Sequence, residues 1–593
     1  MDYTLKPAAE GEKTLGSATR ALTPLLAEER GNLIIAVICV IGSSIANLLG
    51  PAIVARVIDT AMARADYGLL LRYAGLLALV YLASLGTSYL QTLRMGAAGR
   101  NVLYKLRNAL FTKLSNLPIA FFAQNRAGDL ISRVNADTDK INQFFAQALM
   151  QFFGSAFLIT GAGILLMTLN WRLGLGALAP ALVILAITRL ASPWVKRTNR
   201  AGLDAQGALA GDISESLANF KVILAFGRTD YFKEKFDQAN QKNFRASIKA
   251  GIASGLFMPL YTLAGSAASI LVLALGVWLI GQGGLTVGLL IGYLLYVTAF
   301  YNPLRGLATV WSSLQMAMAA LDRVSEVLGL KTDLVPVPDA PDAPDAPDAP
   351  GGGTGALLVF DHVGFSYPNG KDVLVDVNLA LERGKTYALV GPTGGGKTTT
   401  AMLMARLYDP SRGAVYLDGR DIRTFTATER AARIGFILQE PVLFSGTVRD
   451  NITYGHEALG AMSDEALLAH LASRGLAEFA GRFNGGLGAV IGGAGETLSL
   501  GQKQLVAFLR AVLREPDILI LDEATANIDT VTEQLLEEVL DRLPATTTKV
   551  IIAHRLNTIR SADDIFFVGG GALTEAGSMA HAMDMLLNTK RAS

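Results

Sequence analysis

The first half of the chain is built from apolar windows that contain no Asp, Glu, Lys or Arg. They cover residues 31–55, 73–93, 141–171, 173–188 and 250–304. A bilayer core of about 30 Å takes ~20 apolar residues in a helix. The last window is long enough for two such helices. Gly281-Gln282-Gly283-Gly284 breaks it in the middle, so it holds two spans and a tight turn. Residues 173–188 fall a little short, but the span extends through Leu190 and Ala191 if Arg189 snorkels to the interface. The pattern predicts six membrane helices.

Basic residues between these windows are unevenly spread. Residues 94–140 carry eight Lys or Arg and residues 189–249 carry eleven, whereas the alternate turns hold only Arg56, Arg64 and Arg72, then Arg172, then none. Basic loops stay on the cytoplasmic side, so both termini and the two long loops are expected in the cytoplasm. Residues 101–117 and 203–241 keep apolar positions at helical spacing with few breakers. Helices there would carry the membrane spans far beyond the bilayer. Short apolar segments, 118–124 and 217–227, lie at the turning points of the two loops. They read either as ordinary helix turns or as pegs that dock on a further domain, and the second half of the chain favours pegs.

Polar residues inside the spans are few. Asn47, Gln91, Thr160 and Gln315 are expected to be satisfied within the bundle. Tyr293, Tyr296, Phe300 and Tyr301, with Asn302, form a denser cluster that either is satisfied in the same way or lines a substrate path. Arg305 is the one basic residue in that span that could meet an acidic substrate group. A paired or snorkelling position near the membrane boundary is the reading slightly favoured.

The pattern changes after residue 330. Residues 338–350 repeat Pro-Asp-Ala and end in Gly351-Gly352-Gly353, a composition that cannot bury a core and should stay extended. From residue 356 onward, short β-type runs alternate with amphipathic helical stretches, as in an α/β domain. One run, 386–390, leads into Gly391-Pro392-Thr393-Gly394-Gly395-Gly396-Lys397-Thr398, which fits the phosphate-binding loop G-x-x-x-x-G-K-[ST]. Residues 399–408 follow as a predicted helix, the context this motif requires. Glycines let the backbone wrap a phosphate chain so that N–H groups and the helix N-terminus point at the anion. Lys397 would reach the β- and γ-phosphates, and the Thr398 hydroxyl would ligate Mg²⁺.

Three further runs end in polar residues. Residues 518–521 are wholly apolar, as a buried parallel strand should be, and deliver Asp522 and Glu523. A magnesium-holding carboxylate and a water-activating one belong at such a strand end beside the phosphates. Residues 549–553 end in His554, and residues 434–438 end in Gln439.

Composition narrows the reading. Across 593 residues the hydrophobic fraction is 51%, the mean hydropathy +0.37 and the formal charge +1, so nothing points to nucleic acid. Cys39 is the only cysteine, which excludes an intrachain disulfide and a cysteine-rich metal site. Residues 1–30 are polar and mixed in charge, so no cleavable signal is expected.

On these features the chain resembles an ATP-binding cassette (ABC) exporter, with six membrane helices fused to one nucleotide-binding domain. The resemblance covers residues 15–590 apart from the linker repeats, and its most specific mark is Leu498-Ser499-Leu500-Gly501-Gln502, similar to the family's signature sequence. Phe121-Phe122, Gly128-Asp129-Leu130 and Asp137 together resemble the family's first cytoplasmic loop. The resemblance implies an α-helical polytopic membrane domain over 1–330, a linker over 331–355 and an α/β P-loop NTPase domain of the ABC type over 356–593.

Its implied site takes ATP and Mg²⁺. Tyr367 in Phe365-Ser366-Tyr367-Pro368 matches the aromatic that stacks on adenine, and residues 391–398 with Thr399 hold the phosphates. Gln439 matches the glutamine that senses Mg²⁺ and the attacking water, and Asp522 completes the magnesium shell. Glu523 matches the general base, His554 the histidine that holds the γ-phosphate, and Asp529 a loop that communicates across a dimer. Ser499, Gly501 and Gln502 belong to the signature that touches the γ-phosphate on the opposite subunit. One chain would therefore be half of a transporter. Leu500 stands where the family commonly has glycine, and this altered signature with an intact Glu523 favours a heterodimer over a homodimer; Gly493 stands where the family has glutamate, a departure from its usual docking-helix contact.

The resemblance implies ATP-driven export of an amphipathic or hydrophobic compound, a drug-like molecule or lipid, across the bacterial cytoplasmic (inner) membrane. An ATP-gated channel or regulatory subunit, or an importer of a metal chelate, are the alternatives on the same fold.

Overall fold

A chain in hydrocarbon must satisfy every backbone N–H and C=O internally, so apolar windows of this length fold as helices. The structure, a computed structural model, describes residues 3–5, 27–62, 66–330, 356–368, 370–492, 498–522, 530–552 and 562–592. They form two compact units, Lys6–Lys113 with Gly128–Gly329, and Met1–Leu5 with Leu114–Ala127 and Leu330–Ser593. Among the helices of the first half are α1 (Arg30–Arg56), α2 (Tyr67–Ser115), α3 (Ile119–Gln124), α4 (Ala127–Ser132), α5 (Leu149–Leu169), α6 (Trp171–Ala218), α7 (Phe220–Ala225), α8 (Thr229–Gly255), α9 (Phe257–Gly281) and α10 (Val287–Leu328).

Among the described residues six helical runs are long and apolar enough to cross a membrane: α1, α2, α4 to α5, α6, α8 to α9, and α10. A chain with six such runs is a multi-pass membrane protein. At 49 residues, α2 is about 74 Å long by its helical rise, more than twice a membrane core. The long extensions expected from the loop pattern are therefore present. Leu71, Leu79, Leu82 and Leu85 of α2 face outward, a surface suited to lipid.

Small residues let the helices approach. A Cβ on Gly288 or Gly292 of α10 would strike the backbone of Ala55 or Pro51 in α1, so this four-residue glycine spacing sets the close α1–α10 contact. Asp59, just after α1, caps the start of α10 by accepting from Thr286 Oγ1 at 2.5 Å and Gly288 N at 2.8 Å. The tyrosine cluster resolves toward the bundle. Tyr293, Tyr296 and Tyr301 are buried, and their hydroxyls donate to the carbonyls of Asn170, Leu48 and Ala177, each at 2.8 Å. These phenols tie α10 to neighbouring helices, so they are not free donors in a substrate path.

A charged cluster ties the start of the third helical run to the end of α10. Arg133 is buried, donates to Glu326 at 2.8 Å and Asp129 at 2.9 Å, and also donates to the Arg323 carbonyl at 2.8 Å. Asp137 is buried and pairs with Lys140 at 3.1 Å and with Arg323. The two expected pegs separate. Residues 114–127, including α3, belong to the compact unit that contains the second half of the chain, whereas α7 remains with the helical unit. Residues 3–5 run beside α3, with Tyr3 N donating to Gln124 Oε1 at 2.8 Å and Leu5 N to Asn125 Oδ1 at 3.0 Å.

Twelve strands among the described residues build the second half: β1 (Ala356–Ser366), β2 (Asp372–Glu382), β3 (Thr386–Val390), β4 (Arg412–Leu417), β5 (Arg420–Asp421), β6 (Ile434–Ile437), β7 (Gly446–Thr447), β8 (Val490–Ile491), β9 (Ile518–Asp522), β10 (Thr548–Ile552), β11 (Asp564–Gly569) and β12 (Ala572–Glu575). One sheet has the order β2-β1-β4-β5, the central one β12-β11-β3-β10-β9-β6, and β7 and β8 form a small pair. In the central sheet β11, β3, β10, β9 and β6 are parallel. Their middle residues are apolar because helices and the second sheet bury both faces. Helices α11 (Lys397–Met404) and α12 (Leu500–Val512) follow the phosphate loop and the signature sequence.

Candidate functional site

Ligands of an open parallel sheet bind beyond the carboxyl ends of its strands. Here β3, β10, β9 and β6 are parallel neighbours, so the carboxyl ends of those four strands share one edge. The loop after β3 is residues 391–396. Gly396 caps α11 with φ +106°, a left-handed conformation that other residues adopt only with strain. A Cβ at Gly391 would lie 2.1 Å from the carbonyl oxygen of Val568, so backbone closeness, added to a φ of +154°, demands glycine there. Thr400 Oγ1 donates to Gly396 O at 2.9 Å and locks the first turn of α11.

Lys397 is buried and lies back across the loop, its Nζ donating to Gly391 O at 2.9 Å and Pro392 O at 3.1 Å. Thr398 Oγ1 donates to Asp522 Oδ1 at 3.3 Å. That contact crosses β10, because Asp522 is the last residue of β9 and pairs in register with Ile552. A hydroxyl and a carboxylate held at this distance are the oxygen donors that Mg²⁺ selects. Among the described residues no group of three His, Cys, Asp or Glu forms a metal cage. This donor set therefore fits a metal that takes its remaining oxygens from phosphate and water. Gln439 follows β6 on the same edge with an exposed side chain.

Tyr367 stands on the other side of the loop. Its hydroxyl meets Thr399 Oγ1 at 3.0 Å, and its ring packs edge-on against Phe365 at 4.9 Å and Tyr408 at 5.5 Å. Sequence reasoning passed over Tyr408 as the end of a helix; its ring completes the aromatic group, and burial pushes its phenol pKa up, so it stays neutral. The predicted helix over 399–408 in fact starts at Lys397 and ends at Met404.

The signature residues occupy a separate place. Ser499 is the N-cap of α12: its Oγ accepts from Gln502 N at 3.2 Å, and Gln502 Oε1 accepts from Ser499 N at 3.1 Å. This is a complete capping box. Gly501 is buried behind it, while Ser499 and Leu500 are exposed. Among the described residues no hydrogen bond joins Ser499 or Gln502 to residues 391–399 of the same chain. Of the expected site residues, the structure thus unites residues 391–399 with Tyr367 and Asp522, and places Gln439 on their edge. Glu523, Asp529 and His554 lie outside the described residues, as do the linker and Gly493.

Comparison with known proteins agrees with both units. Residues 33–304 match the ABC transporter transmembrane region and residues 374–526 the ABC transporter domain. The chain is 33% identical over 577 residues to the uncharacterised ABC transporter ATP-binding protein YfiC of Bacillus subtilis, covering 97% of this chain and 93% of that one. It is 31% identical over 518 residues to a fatty acid ABC transporter ATP-binding/permease protein of Mycobacterium bovis, covering 87% and 80%. A solved bacterial Atm1-family ABC exporter with ATP bound is similar over 94% of this chain and 96% of its own, with 26% identity and a TM-score of 0.75. Six apolar helical runs followed by a phosphate loop on a parallel sheet, matched over nearly the whole length by such relatives, mean that the chain belongs to the ABC transporters, as an ATP-hydrolysing half-transporter.

Proposed function

We propose that the protein is one half of an ATP-driven exporter of an amphipathic or hydrophobic compound, a drug-like molecule or a lipid. The observation that carries this reading is the Thr398–Asp522 contact at the strand edge of a cassette borne on the same chain as six membrane helices. In this reading Lys397 holds the β- and γ-phosphates, Thr398 and Asp522 hold Mg²⁺ with Gln439, and Tyr367 stacks on the base beside Thr399. Magnesium bound there neutralises charge on the phosphate oxygens. Glu523 orients and deprotonates the attacking water, and His554 holds the γ-phosphate.

A second half-transporter supplies Ser499, Gly501 and Gln502 to the facing nucleotide, with Asp529 at the same interface. The exposed apolar side chains Phe220, Val222, Leu224 and Phe226 around α7 support a partner, since no bilayer covers a cytoplasmic loop. Leu500 in the signature together with an intact Glu523 favours a heterodimer, and a homodimer is the alternative. In this reading both termini face the cytoplasm and the spans lie in a bacterial inner membrane, an orientation that the basic loops support. ATP must bind the closed cassette pair more tightly than the open one for closure to turn the cavity outward. A fatty acid is one cargo consistent with the mycobacterial relative.

The test reconstitutes the paired protein in vesicles and follows ATP turnover together with uptake into inside-out vesicles. Glu523→Gln should bind ATP and stall turnover, and uptake against a gradient should require ATP. Near-normal ATPase activity in Glu523→Gln would sink the catalytic assignment. Conductance in place of uptake would establish the channel reading.

A further inference from the structure

A cavity of about 360 Å³ opens between α9 and α10. Its polar lining comes from two helical stripes, Thr262, Ser266 and Ser269 on α9, and Thr298, Tyr301 and Arg305 on α10. Steps of three and four residues put each set on one face of its helix. Two facing polar stripes thus run where helices in lipid ordinarily carry leucine. Ile270 and Val297 supply an apolar wall beside them.

Arg305 is the charged member. Counted from Val287 at the start of α10, it stands about 27 Å along the helix, close to the far boundary of a ~30 Å membrane core. A cation there either snorkels to the interface or finds a polar partner, and its side chain lines this cavity instead. Among the described residues Arg305 makes no salt bridge, and its buried Nε has no hydrogen-bond partner. Arg323, farther along the same helix, is by contrast paired with Asp137.

The hydroxyls sort by what they have already given away. Thr262 Oγ1 donates to Met258 O at 2.9 Å, Ser269 Oγ to Gly265 O at 2.9 Å, and Thr298 Oγ1 to Leu294 O at 3.1 Å. Tyr301 donates to Ala177 O. Those hydroxyls show the cavity lone pairs only. The donors left are the Arg305 guanidinium and the Ser266 hydroxyl. The cavity therefore offers a cation, one neutral donor and several acceptors.

We propose that this cavity binds the head of an amphipathic anion, a carboxylate or phosphate monoester that carries a hydroxyl or amide donor of its own. Arg305 takes the anionic oxygens, the Thr and Ser oxygens accept from the ligand's donor, and the alkyl part lies along Ile270 and Val297. That such a ligand is cargo rests on the export reading; that it binds here does not.

The experiment uses the assembled transporter, free of nucleotide, in discs of zwitterionic lipid. Binding of a β-hydroxy fatty acid, of a lysophosphatidic acid (a phosphate monoester with a free hydroxyl) and of dodecyltrimethylammonium is measured by equilibrium titration. Both anions should bind saturably and the ammonium should not. Arg305→Gln should weaken both anions about tenfold or more, with Arg305→Lys between it and the wild type. Removing a membrane-embedded charge should leave the thermal midpoint of Arg305→Gln no lower than that of the wild type, so lost binding is not lost folding. Ser266→Leu, which fills the cavity, should weaken the anions as well. Equal anion binding by Arg305→Gln, or a preference for the ammonium, overturns the proposal. Adding phosphatidylglycerol to the discs separates the sources: competition supports the site with a membrane lipid as occupant, and its absence supports the site with a free amphipath. Anion binding at Arg305 without vesicle transport would defeat the export reading and leave the site standing.

Discussion

The phosphate loop makes a graded prediction, because its glycines are required for two different reasons. Gly391→Ala places a Cβ 2.1 Å from the Val568 carbonyl oxygen, where ordinary contact begins at 3.4 Å. Val568 belongs to β11, which pairs with β3 in parallel, Phe567 opposite Val390. Relief requires the two strands to part by more than an ångström at their carboxyl ends. Losing two or three ladder hydrogen bonds costs about 2–4 kcal/mol at roughly 1 kcal/mol each with some packing loss. Gly396→Ala meets the side chains Leu374 Cδ2 at 3.2 Å and Val373 Cγ1 at 3.3 Å, with the Val373 carbonyl oxygen at an ordinary 3.5 Å, but it must hold φ near +106°. The left-handed conformation costs about 1–2 kcal/mol. If the loop relaxes to avoid that cost, its N–H groups turn away from the phosphates. ATP affinity then falls by about five- to thirtyfold, at 1.4 kcal/mol per tenfold.

Gly207→Ala is the control. Gly207 is helical, exposed and has nothing within 4 Å of its would-be Cβ, so alanine there should stabilise by about 0.5–1 kcal/mol. Thermal unfolding of the purified protein and titration with a fluorescent ATP analogue read the two effects separately. Gly391→Ala should lose mainly stability and Gly396→Ala mainly nucleotide affinity. If Gly391→Ala were the milder of the two by unfolding, or if Gly396→Ala bound ATP as the wild type does, the division between backbone closeness and backbone handedness would be wrong.

Three other outcomes are expected. Thr398→Ala removes the hydroxyl that reaches Asp522, so the Mg²⁺ concentration for half-maximal ATPase should rise about tenfold, the loss of one charge-assisted contact; Thr398→Ser should restore it, and an unchanged magnesium dependence would contradict the assignment. Asp137→Asn leaves Arg323 without its buried carboxylate partner, a loss near the lower end of the ~3–5 kcal/mol range because Arg323 is partly exposed; detergent-solubilised protein should show a reduced unfolding midpoint, and an unchanged one would argue against the cluster. Arg433, and then Arg383, hold the Asp418 carboxyl below its ordinary range. That contribution to stability is present above the unfolded carboxylate pKa and is lost as pH falls through the lower folded value. Asp418→Asn should therefore flatten the acid limb of the unfolding curve and leave its neutral-pH shape alone.

What could be read in advance followed from forces that act locally. A bilayer dictates composition over ~20 residues at a time, so the six spans and the turn at Gly281-Gln282-Gly283-Gly284 stood out in the chain. The phosphate loop is local as well, and Asp522 was marked by the wholly buried strand that carries it. Long-range partners were not legible. The helix read over 399–408 contains no breaker, yet it stops at Met404. Arg406 takes φ +49°, with its guanidinium on Asp409 at 2.9 Å and on the carbonyl of Arg423 at 3.0 Å. A tertiary anchor ends that helix, and no residue type announced it. The same holds for Arg133, whose partner Glu326 lies 193 positions away. The tyrosines of α10 could not be sorted from their own neighbours either, since their hydroxyls are satisfied by α1, α5 or α6 and the turn between the last two.

Ser499 shows how a local signal and a distant one can share a residue. Ser-x-x-Gln before an apolar helix is a capping box on sequence alone, and the resemblance to a signature sequence drew attention away from it. The structure realises the box without exhausting the serine. Its oxygen accepts from Gln502 N, which uses a lone pair and leaves the hydroxyl hydrogen free. Gln502 in turn fixes the Ser499 backbone, so the hydroxyl is held at the mouth of α12, where the helix dipole favours an anion. A serine that only capped the helix could be replaced by aspartate at little cost in stability. A serine that also donates to phosphate could not, because a carboxylate brings repulsion where a donor is needed. In the proposed dimer Ser499→Asp should therefore keep the fold of the cassette and lose ATP-driven closure, which separates the two roles of one side chain.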